Sequence, residues 1–227
     1  MLALRSAGAR GCTRRGDAVI RHEFSCGDYH DPAHMGFGPV RAINEIALPP
    51  GIGMAAERRA NIDIFTWVVE GAVRYTLGDA TCDLVRGDRH LVGAGRGIEV
   101  ALANVSAHES ARVLEVWLLP ERLNATPWHG RAEIAADHGI LLAANDHGLP
   151  LRRGIEAHAL RLRAGARQGH ACRPGQRLWL QVTRGVFEVN GVRLVAGDAA
   201  VVQNEARIAF AAPDGDAEAL LLALRAG

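Results

Sequence analysis

Apolar and polar residues alternate over short segments, and this alternation is the dominant pattern of the chain. Val73, Tyr75 and Leu77 are separated by polar residues, and Leu160 and Leu162 flank an arginine in the second half. A period of two residues is typical of a β-strand with one buried face. Stretches with helical periodicity are hard to find, and glycine turn signals recur between the short segments. The pattern therefore favours a β-sandwich or β-barrel architecture.

An internal repeat divides this pattern into two copies. Residues 68–75 and 85–88 (VVEGAVRY and VRGD) recur as residues 182–189 and 195–198 (VTRGVFEV and VAGD). The two glycines of a copy stand 16 residues apart in the first and 12 apart in the second, so the first hairpin is longer by four residues. We therefore predict an all-β fold of two tandem, jelly-roll-like β-barrels with few short helices.

The boundary between the copies is predicted from composition. Residues 120–130 are rich in proline and polar residues, which is typical of a linker. We predict a first barrel over 1–122, a linker over 123–136 and a second barrel over 137–227.

The first 17 residues are rich in arginine and resemble a transit peptide, but they lack an apolar core. Residues 2–5 read equally well as a first strand, and we interpret the segment as structure. No apolar run approaches the roughly 20 residues that a membrane span needs. We expect a cytoplasmic protein with no membrane partner.

Composition excludes several classes of chemistry. All 26 Lys+Arg residues are arginine. The chain therefore has no lysine for Schiff-base chemistry, for the phosphate-binding P-loop or for a protein-kinase site. With 25 Asp+Glu the net charge is +1, which argues against direct contact with nucleic acid. Four cysteines without a C-x-x-C pair predict neither a disulfide framework nor a zinc knuckle.

Residues 51–56 (GIGMAA) fit the dinucleotide fingerprint G-x-G-x-x-A, but the interpretation fails. That fingerprint needs a strand before it and a crossover helix after it. Pro49 and Pro50 precede the first glycine, and the apolar strand 65–69 follows too soon to leave room for a helix. No nucleotide cofactor is predicted.

Longer segments carry a family resemblance. Residues 22–29 (HEFSCGDY) and 31–44 (DPAHMGFGPVRAIN) resemble the N-terminal signature of the pirin family. Residues 87–98, 114–120 and 177–182 continue the similarity, which covers nearly the whole chain. The resemblance implies two tandem barrels of the cupin superfamily.

Pirins of this kind resemble bicupins that hold one Fe(II)-type metal in the first barrel. The resemblance implies three histidines and a glutamate, arranged as His-x-His on one strand and His-x-Glu on another. In this chain those positions read Glu57-Arg58-Arg59 and Val100-Ala101-Leu102. Arginine does not deprotonate in proteins, and valine and leucine offer no lone pair. We therefore expect no metal and no other cofactor.

The replacing side chains form the predicted binding pocket in the first barrel. Glu57 and Arg59 would share a strand face and pair, while Val100 and Leu102 would form a dry opposite wall. A buried ion pair needs further hydrogen bonds, for which Asp63 is the expected partner.

Other polar clusters have alternative interpretations. His30 and His34, near Asp28 and Asp31, fit a displaced metal site or a polar loop, and the loop is favoured. His170 and Cys172 share a strand face in the second barrel, where packing is favoured over a reactive or metal-binding role. His90 and His108 are interpreted as structural or solvated residues.

The leading functional prediction is a bicupin that has lost its metal site and acts as a non-catalytic small-molecule-binding or regulatory protein. One alternative, implied by the resemblance, is a quercetin 2,3-dioxygenase whose metal is held by relocated ligands from His30, His34 or His170. Another is a transcriptional cofactor that binds a protein partner. A hydrolase or isomerase with Glu57 as general base has little support, because no partner acid is evident.

Overall fold

The computed structural model describes residues 1–132, 141–143 and 149–225, with only the backbone described over 141–143. Within these ranges the fold is all-β, as predicted, and the helical content is one 3₁₀ turn, Ala7–Ala9. No described helix has the length and apolar character needed to cross a bilayer. The strands are β1 (Leu2–Arg5), β2 (Gly11–Arg15), β3 (Ala18–His22), β4 (Val40–Leu48), β5 (Gly53–Arg59), β6 (Asp63–Glu70), β7 (Ala72–Leu77), β8 (Ala80–Val85), β9 (Arg89–Gly93), β10 (Ile98–Asn104), β11 (Ala111–Leu118), β12 (Trp128–Ala132), β13 (Leu141–Ala143), β14 (Ile155–Leu162), β15 (Arg167–Ala171), β16 (Arg177–Arg184), β17 (Val186–Val189), β18 (Val192–Val195), β19 (Ala199–Gln203), β20 (Arg207–Ala211) and β21 (Ala217–Leu224).

The strands form two compact units. The first barrel is Arg10–Ile134, and the second barrel combines Met1–Ala9 with Ala135–Gly227. In the first barrel a seven-stranded sheet of order β12-β9-β6-β11-β4-β3-β2 accompanies a four-stranded sheet of order β5-β10-β7-β8. Ile46 and Val68 from the larger sheet pack with Tyr75 and Leu102 from the smaller one in a single apolar core. The core therefore lies between the two sheets, as in a jelly roll.

The second barrel has the same plan. A six-stranded sheet of order β1-β19-β16-β21-β14-β13 accompanies a four-stranded sheet of order β15-β20-β17-β18. Leu180 and Leu221 from the larger sheet pack with Phe187 and Phe210 from the smaller one. Each barrel thus buries its own core.

Two predicted boundaries differ from the observed ones. Residues 2–5 form a strand, but Leu2 pairs with Val202 in β19, so β1 belongs to the second barrel and not to 1–122. Within the predicted linker 123–136, β12 pairs with β9 and extends the larger sheet of the first barrel. Both strands join sheets through partners that are distant in sequence, which composition does not reveal.

The repeat reflects one turn built twice. Gly71 and Gly185 each have φ of 72°, in the left-handed region that glycine adopts without strain. A Cβ at Gly71 would lie 2.6 Å from the Ser110 carbonyl oxygen, and one at Gly185 would lie 2.4 Å from the Asp216 carbonyl oxygen. The four additional residues of the first copy lengthen the β7–β8 hairpin relative to the β17–β18 hairpin.

Candidate functional site

The first barrel encloses a cavity of about 130 Å³ between its two sheets. Strands β2, β3, β4, β6 and β11 of the larger sheet contribute to its lining, as do β5 and β10 of the smaller one. The lining residues are Thr13, Arg15, Ile20, His22, Cys26, Gly27, Asp28, Asn44, Ile46, Met54, Ala55, Glu57, Arg59, Ile64, Val100, Leu102, Glu115 and Trp117.

Glu57 and Arg59 lie on the cavity face of β5, as two residues separated by one position on a strand must. The Arg59 Nη2 atom lies 2.5 Å from Glu57 Oε2. The Glu57 side chain is 39% exposed and the Arg59 side chain 30% exposed. This pair therefore lies at the mouth of the cavity and is not the buried pair that we expected. Water therefore supplies some of the hydrogen bonds that this ion pair needs.

Asp63, the expected further partner of the ion pair, lies on a different strand. It lies at the start of β6, where it pairs with Gly93 of β9, and it is not part of the cavity lining. The additional partners come from other strands. Arg15 of β2 places its Nη1 atom 3.8 Å from Glu57 Oε1. The guanidinium carbon of Arg59 lies 4.6 Å from the centroid of the Trp117 ring, a cation–π contact.

The Trp117 ring is held by a buried network of hydrogen bonds. Its indole nitrogen donates to Glu115 Oε2 at 2.9 Å. The other oxygen of Glu115 accepts from the Tyr75 hydroxyl at 2.6 Å, and Tyr75 also lies 3.0 Å from Thr66 Oγ1. Burial raises the pKa of Tyr75 well above its usual value, and the negative charge of Glu115 adds to this effect. The network therefore fixes the ring on which Arg59 rests.

Val100 and Leu102 are buried in the cavity wall, but they do not form the opposite wall. Strand β10 is the antiparallel neighbour of β5, with Val100 opposite Glu57 and Leu102 opposite Met54. The prediction that they face Glu57 from across the barrel is therefore wrong. The facing wall is built by Ile46 and Ile64 from the larger sheet.

The polar part of the lining is a chain of hydrogen bonds centred on His22. Its Nδ1 atom lies 2.8 Å from Asn44 Oδ1, and its Nε2 atom lies 2.7 Å from Thr13 Oγ1. Because the amide oxygen only accepts, Nδ1 donates and Nε2 accepts from the hydroxyl. Burial lowers the pKa of His22, an effect that the nearby charge of Arg15 reinforces. His22 is therefore a neutral imidazole at neutral pH.

Cys26 completes this group. Its sulfur lies 3.7 Å from Asn44 Nδ2, which donates to it. Burial raises the pKa of the Cys26 thiol. The thiol is thus protonated at neutral pH and is a weak nucleophile and a poor metal ligand.

These donors do not fit the metal that the family resemblance implies. A cupin metal needs several neutral imidazoles or carboxylates directed at one point. Glu57 is paired with a cation, both oxygens of Glu115 accept hydrogen bonds, and both nitrogens of His22 are engaged. Within residues 1–132 and 149–225, no cluster of three or more His, Cys, Asp or Glu side chains is arranged to hold a metal ion.

The histidines of the loop after β3 do not form a metal cluster with their acidic neighbours. His34 Nδ1 lies 2.8 Å from Asp31 Oδ2, and that carboxylate also accepts from the Ala33 amide and the Tyr29 hydroxyl. His30 is exposed. These contacts are those of a hydrogen-bonded polar loop.

His170 of β15 has a neighbour that the sequence did not indicate. The ring of His158 in β14 lies 6.0 Å from the His170 ring, and Glu156 Oε2 lies 3.5 Å from His158 Nε2. Burial lowers the pKa of His158 to about 4. Cys172 packs against the core of the second barrel. Packing, the favoured interpretation, is therefore observed for Cys172, and His170 lies against the His158 ring.

Sequence reasoning missed most of the polar lining, including Arg15, His22 and Asn44. Glu115 and Trp117 were the most accessible to prediction, since they alternate with apolar residues in one strand and must share a face. His90 is buried as a structural histidine and His108 is exposed, in line with their interpretation.

Comparison with known proteins identifies relatives along the whole chain. A family described as pirin matches residues 6–118, and one described as the quercetinase C-terminal cupin domain matches residues 142–224. The chain is 30% identical over 230 residues to a protein of Escherichia coli (strain K12) named quercetin 2,3-dioxygenase, with 99% of each chain covered. It is 31% identical over 212 residues to a pirin-like protein of Caulobacter vibrioides, covering 89% of this chain and 90% of that one.

A solved structure agrees with these matches. The crystal structure of the bacterial pirin YhhW from Escherichia coli, in complex with nickel(II), aligns with a TM-score of 0.92. The sequence identity is 29%, and the alignment covers 100% of both chains. The chain thus shares both barrels with that protein.

Proposed function

The chain belongs to the pirin family, and from this premise we propose that it is a metal-free bicupin that binds a small molecule in its first barrel without catalysing its oxidation. The observation that carries the proposal is the Glu57–Arg59 ion pair with Val100 and Leu102 beside it, at the positions where the family resemblance implies metal ligands. A guanidinium at such a position repels a cation and cannot be deprotonated to bind one.

The cavity itself supports a binding role. Its wall is apolar at Ile46, Ile64, Val100 and Leu102, while polar groups converge from β2, β3 and β4. A few placed polar groups on an apolar wall are typical of ligand sites. A volume of about 130 Å³ is close to the roughly 150 Å³ of a cavity that takes benzene, so the occupant is a single ring or a short branched chain.

The rival function comes from the relatives named quercetin 2,3-dioxygenase. By the family resemblance that reaction uses O₂ and a bound metal, and this chain would need ligands from outside the first barrel's cavity. A flavonol, with a fused bicycle and a further ring, is also too large to lie wholly within this cavity. The dioxygenase is therefore the alternative that the following experiment is designed to separate.

The experiment measures metal and activity in the same preparation. The purified protein is analysed for iron, nickel, copper and zinc, and oxygen uptake with quercetin is recorded after incubation with each divalent ion. We expect far less than one metal per chain and no uptake above the metal-only control. Metal near one per chain, or uptake that a His30→Ala, His34→Ala or His170→Ala variant abolishes, would overturn the proposal.

Binding is tested by blocking the cavity. Ala55 of β5 lines the cavity, whereas the next residue, Ala56, does not. Ligand-observed NMR with benzyl alcohol and benzoate should detect binding to the native chain. Ala55→Phe should abolish it and the matched Ala56→Phe should not. Equal effects of the two substitutions, or no binding to the native chain, would contradict a role for this cavity.

A cytoplasmic location is part of the proposal. The four cysteines are all free thiols, and Cys12 is exposed. Free thiols persist in a reducing compartment. Fractionation of native cells with an antibody to the protein would test this, and recovery from the periplasmic or secreted fraction would contradict it.

A further inference from the structure

Arg15, at the mouth of the cavity, makes long ion-pair contacts with two nearby carboxylates. Its Nη2 atom lies 3.4 Å from Asp28 Oδ2 and its Nη1 atom lies 3.8 Å from Glu57 Oε1. Both distances exceed those of good N–H···O hydrogen bonds. The Asp28 side chain is 78% exposed, so this ion pair is strongly screened by water. Among the described residues, Arg15 makes no closer polar contact with a carboxylate.

The other guanidinium at the mouth is already engaged. Arg59 pairs with Glu57 at 2.5 Å and rests on the Trp117 ring. Glu57 therefore contacts two arginines, Arg59 at 2.5 Å and Arg15 at 3.8 Å. With Asp28 included, the mouth carries two arginines and two carboxylates, so its charges balance. An incoming anion pairs with Arg15 by displacing Asp28, whose contact with Arg15 is long and exposed to water.

The deeper lining adds a second requirement. The His22 ring is neutral and fully hydrogen-bonded, and both oxygens of Glu115 are occupied by donors. The remaining wall is apolar at Ile20, Ile46 and Leu102. The inner part of the cavity thus favours an apolar body, while Arg15 at the mouth offers its guanidinium to an anionic group.

Resting on the function proposed above, we propose that the natural ligand is a small carboxylate with an apolar body, such as an aromatic ring, and that Arg15 is the residue that determines this specificity. The ligand's carboxylate pairs with the guanidinium of Arg15 in place of Asp28, and its ring lies against the isoleucine and leucine wall. Guanidinium and carboxylate match in a two-point, charge-assisted geometry.

Three probes of the same size separate charge from shape. Benzoate, benzyl alcohol and benzylammonium share a ring and differ in the polar group. Calorimetric titration at low salt should give benzoate an affinity about tenfold higher than that of benzyl alcohol, the size expected for a partly exposed charged hydrogen bond. Benzylammonium should bind most weakly. The preference for benzoate should shrink as salt is added.

A matched pair of variants tests the assignment to Arg15. Arg14 is the exposed neighbour on the opposite face of β2 and does not line the cavity. Arg15→Gln should lower benzoate affinity about tenfold and leave benzyl alcohol unchanged, whereas Arg14→Gln should change neither. Glu57→Gln should strengthen benzoate binding, since it removes the carboxylate that competes for Arg15.

The outcomes distinguish this inference from the proposed function. If benzyl alcohol binds as well as benzoate, or Arg15→Gln leaves the preference intact, the carboxylate specificity is overturned while the binding role stands. If none of the three probes binds the native chain, both are overturned. Thermal melting of each variant confirms that the barrel is folded in the titration.

Discussion

Removal of the Tyr75 hydroxyl should destabilise the first barrel by about 3 kcal/mol. Tyr75 is fully buried, and its hydroxyl donates to Glu115 at 2.6 Å while lying 3.0 Å from Thr66. In a Tyr75→Phe variant, a buried carboxylate loses a charged hydrogen bond, which costs about 1.5–3 kcal/mol. The Thr66 hydroxyl, also fully buried, loses a neutral bond worth about 1 kcal/mol. The shape of the core is unchanged, so no cavity cost is added.

The assay is urea unfolding followed by circular dichroism, with Tyr29→Phe as the matched control. The Tyr29 hydroxyl also donates to a carboxylate, that of Asp31, at 3.2 Å, but in a partly exposed loop. Its removal should cost less than about 1 kcal/mol. A Tyr75→Phe cost below 1 kcal/mol, or one equal to that of Tyr29→Phe, would refute the buried network.

A double-mutant cycle sharpens this test. Glu115→Gln retains an acceptor for Tyr75 but removes the charge. The coupling between Tyr75→Phe and Glu115→Gln should reach about 1–2 kcal/mol, as for contacting residues in one network. Additive effects of the two substitutions would show that the hydrogen bond contributes little.

Three further outcomes follow from the structure. Burial lowers the pKa values of His90 and His158 to about 4, so the unfolded state binds protons more readily below pH 6.5. The free energy of unfolding should fall from pH 6.5 toward pH 4 by up to about 3 kcal/mol per histidine. In urea titrations at several pH values, His90→Gln should make this pH dependence shallower. An unchanged slope would contradict the assignment to His90. In Gly71→Ala, a residue with left-handed backbone places its Cβ 2.6 Å from a carbonyl oxygen, and the variant should lose more than about 2 kcal/mol of stability in the same assay. The control Gly78→Ala has a left-handed backbone but no atom near its Cβ, and it should lose about 1 kcal/mol. Similar losses for the two variants would contradict the clash. Trp117→Phe removes the hydrogen bond to Glu115 and should destabilise the first barrel by about 1–2 kcal/mol in the same assay, because one oxygen of that carboxylate loses its donor. An unchanged stability would contradict the network.

The sequence was most informative where the relevant contacts are local. A spacing of two residues placed Glu57 and Arg59 on one strand face, and the repeated glycines marked turns that both barrels use. Strand pairing depends on contacts distant in sequence, and there the predictions were less complete. Val100 lies beside Glu57 in the same sheet rather than facing it, and β1 pairs with β19 across almost the whole chain.

The polar lining shows the same limit. Arg15, His22 and Glu115 come from three different strands, and nothing in their local sequence indicates that they meet in one cavity. The contact of Arg59 outside its own strand that the structure describes is with the ring of Trp117, which lies on β11 and is distant in sequence. Such contacts depend on the order of strands in each sheet.

The central claim is that the first barrel does not bind a metal because of four side chains. The most direct test is a nickel(II) titration of the native chain beside a variant with Glu57→His, Arg59→His, Val100→His and Leu102→Glu. We expect no saturable site in the native cavity and about one nickel(II) per folded variant chain, since three imidazoles and a carboxylate suit such an ion. A native chain that binds about one nickel(II), and loses it on Glu57→Gln, would contradict the account.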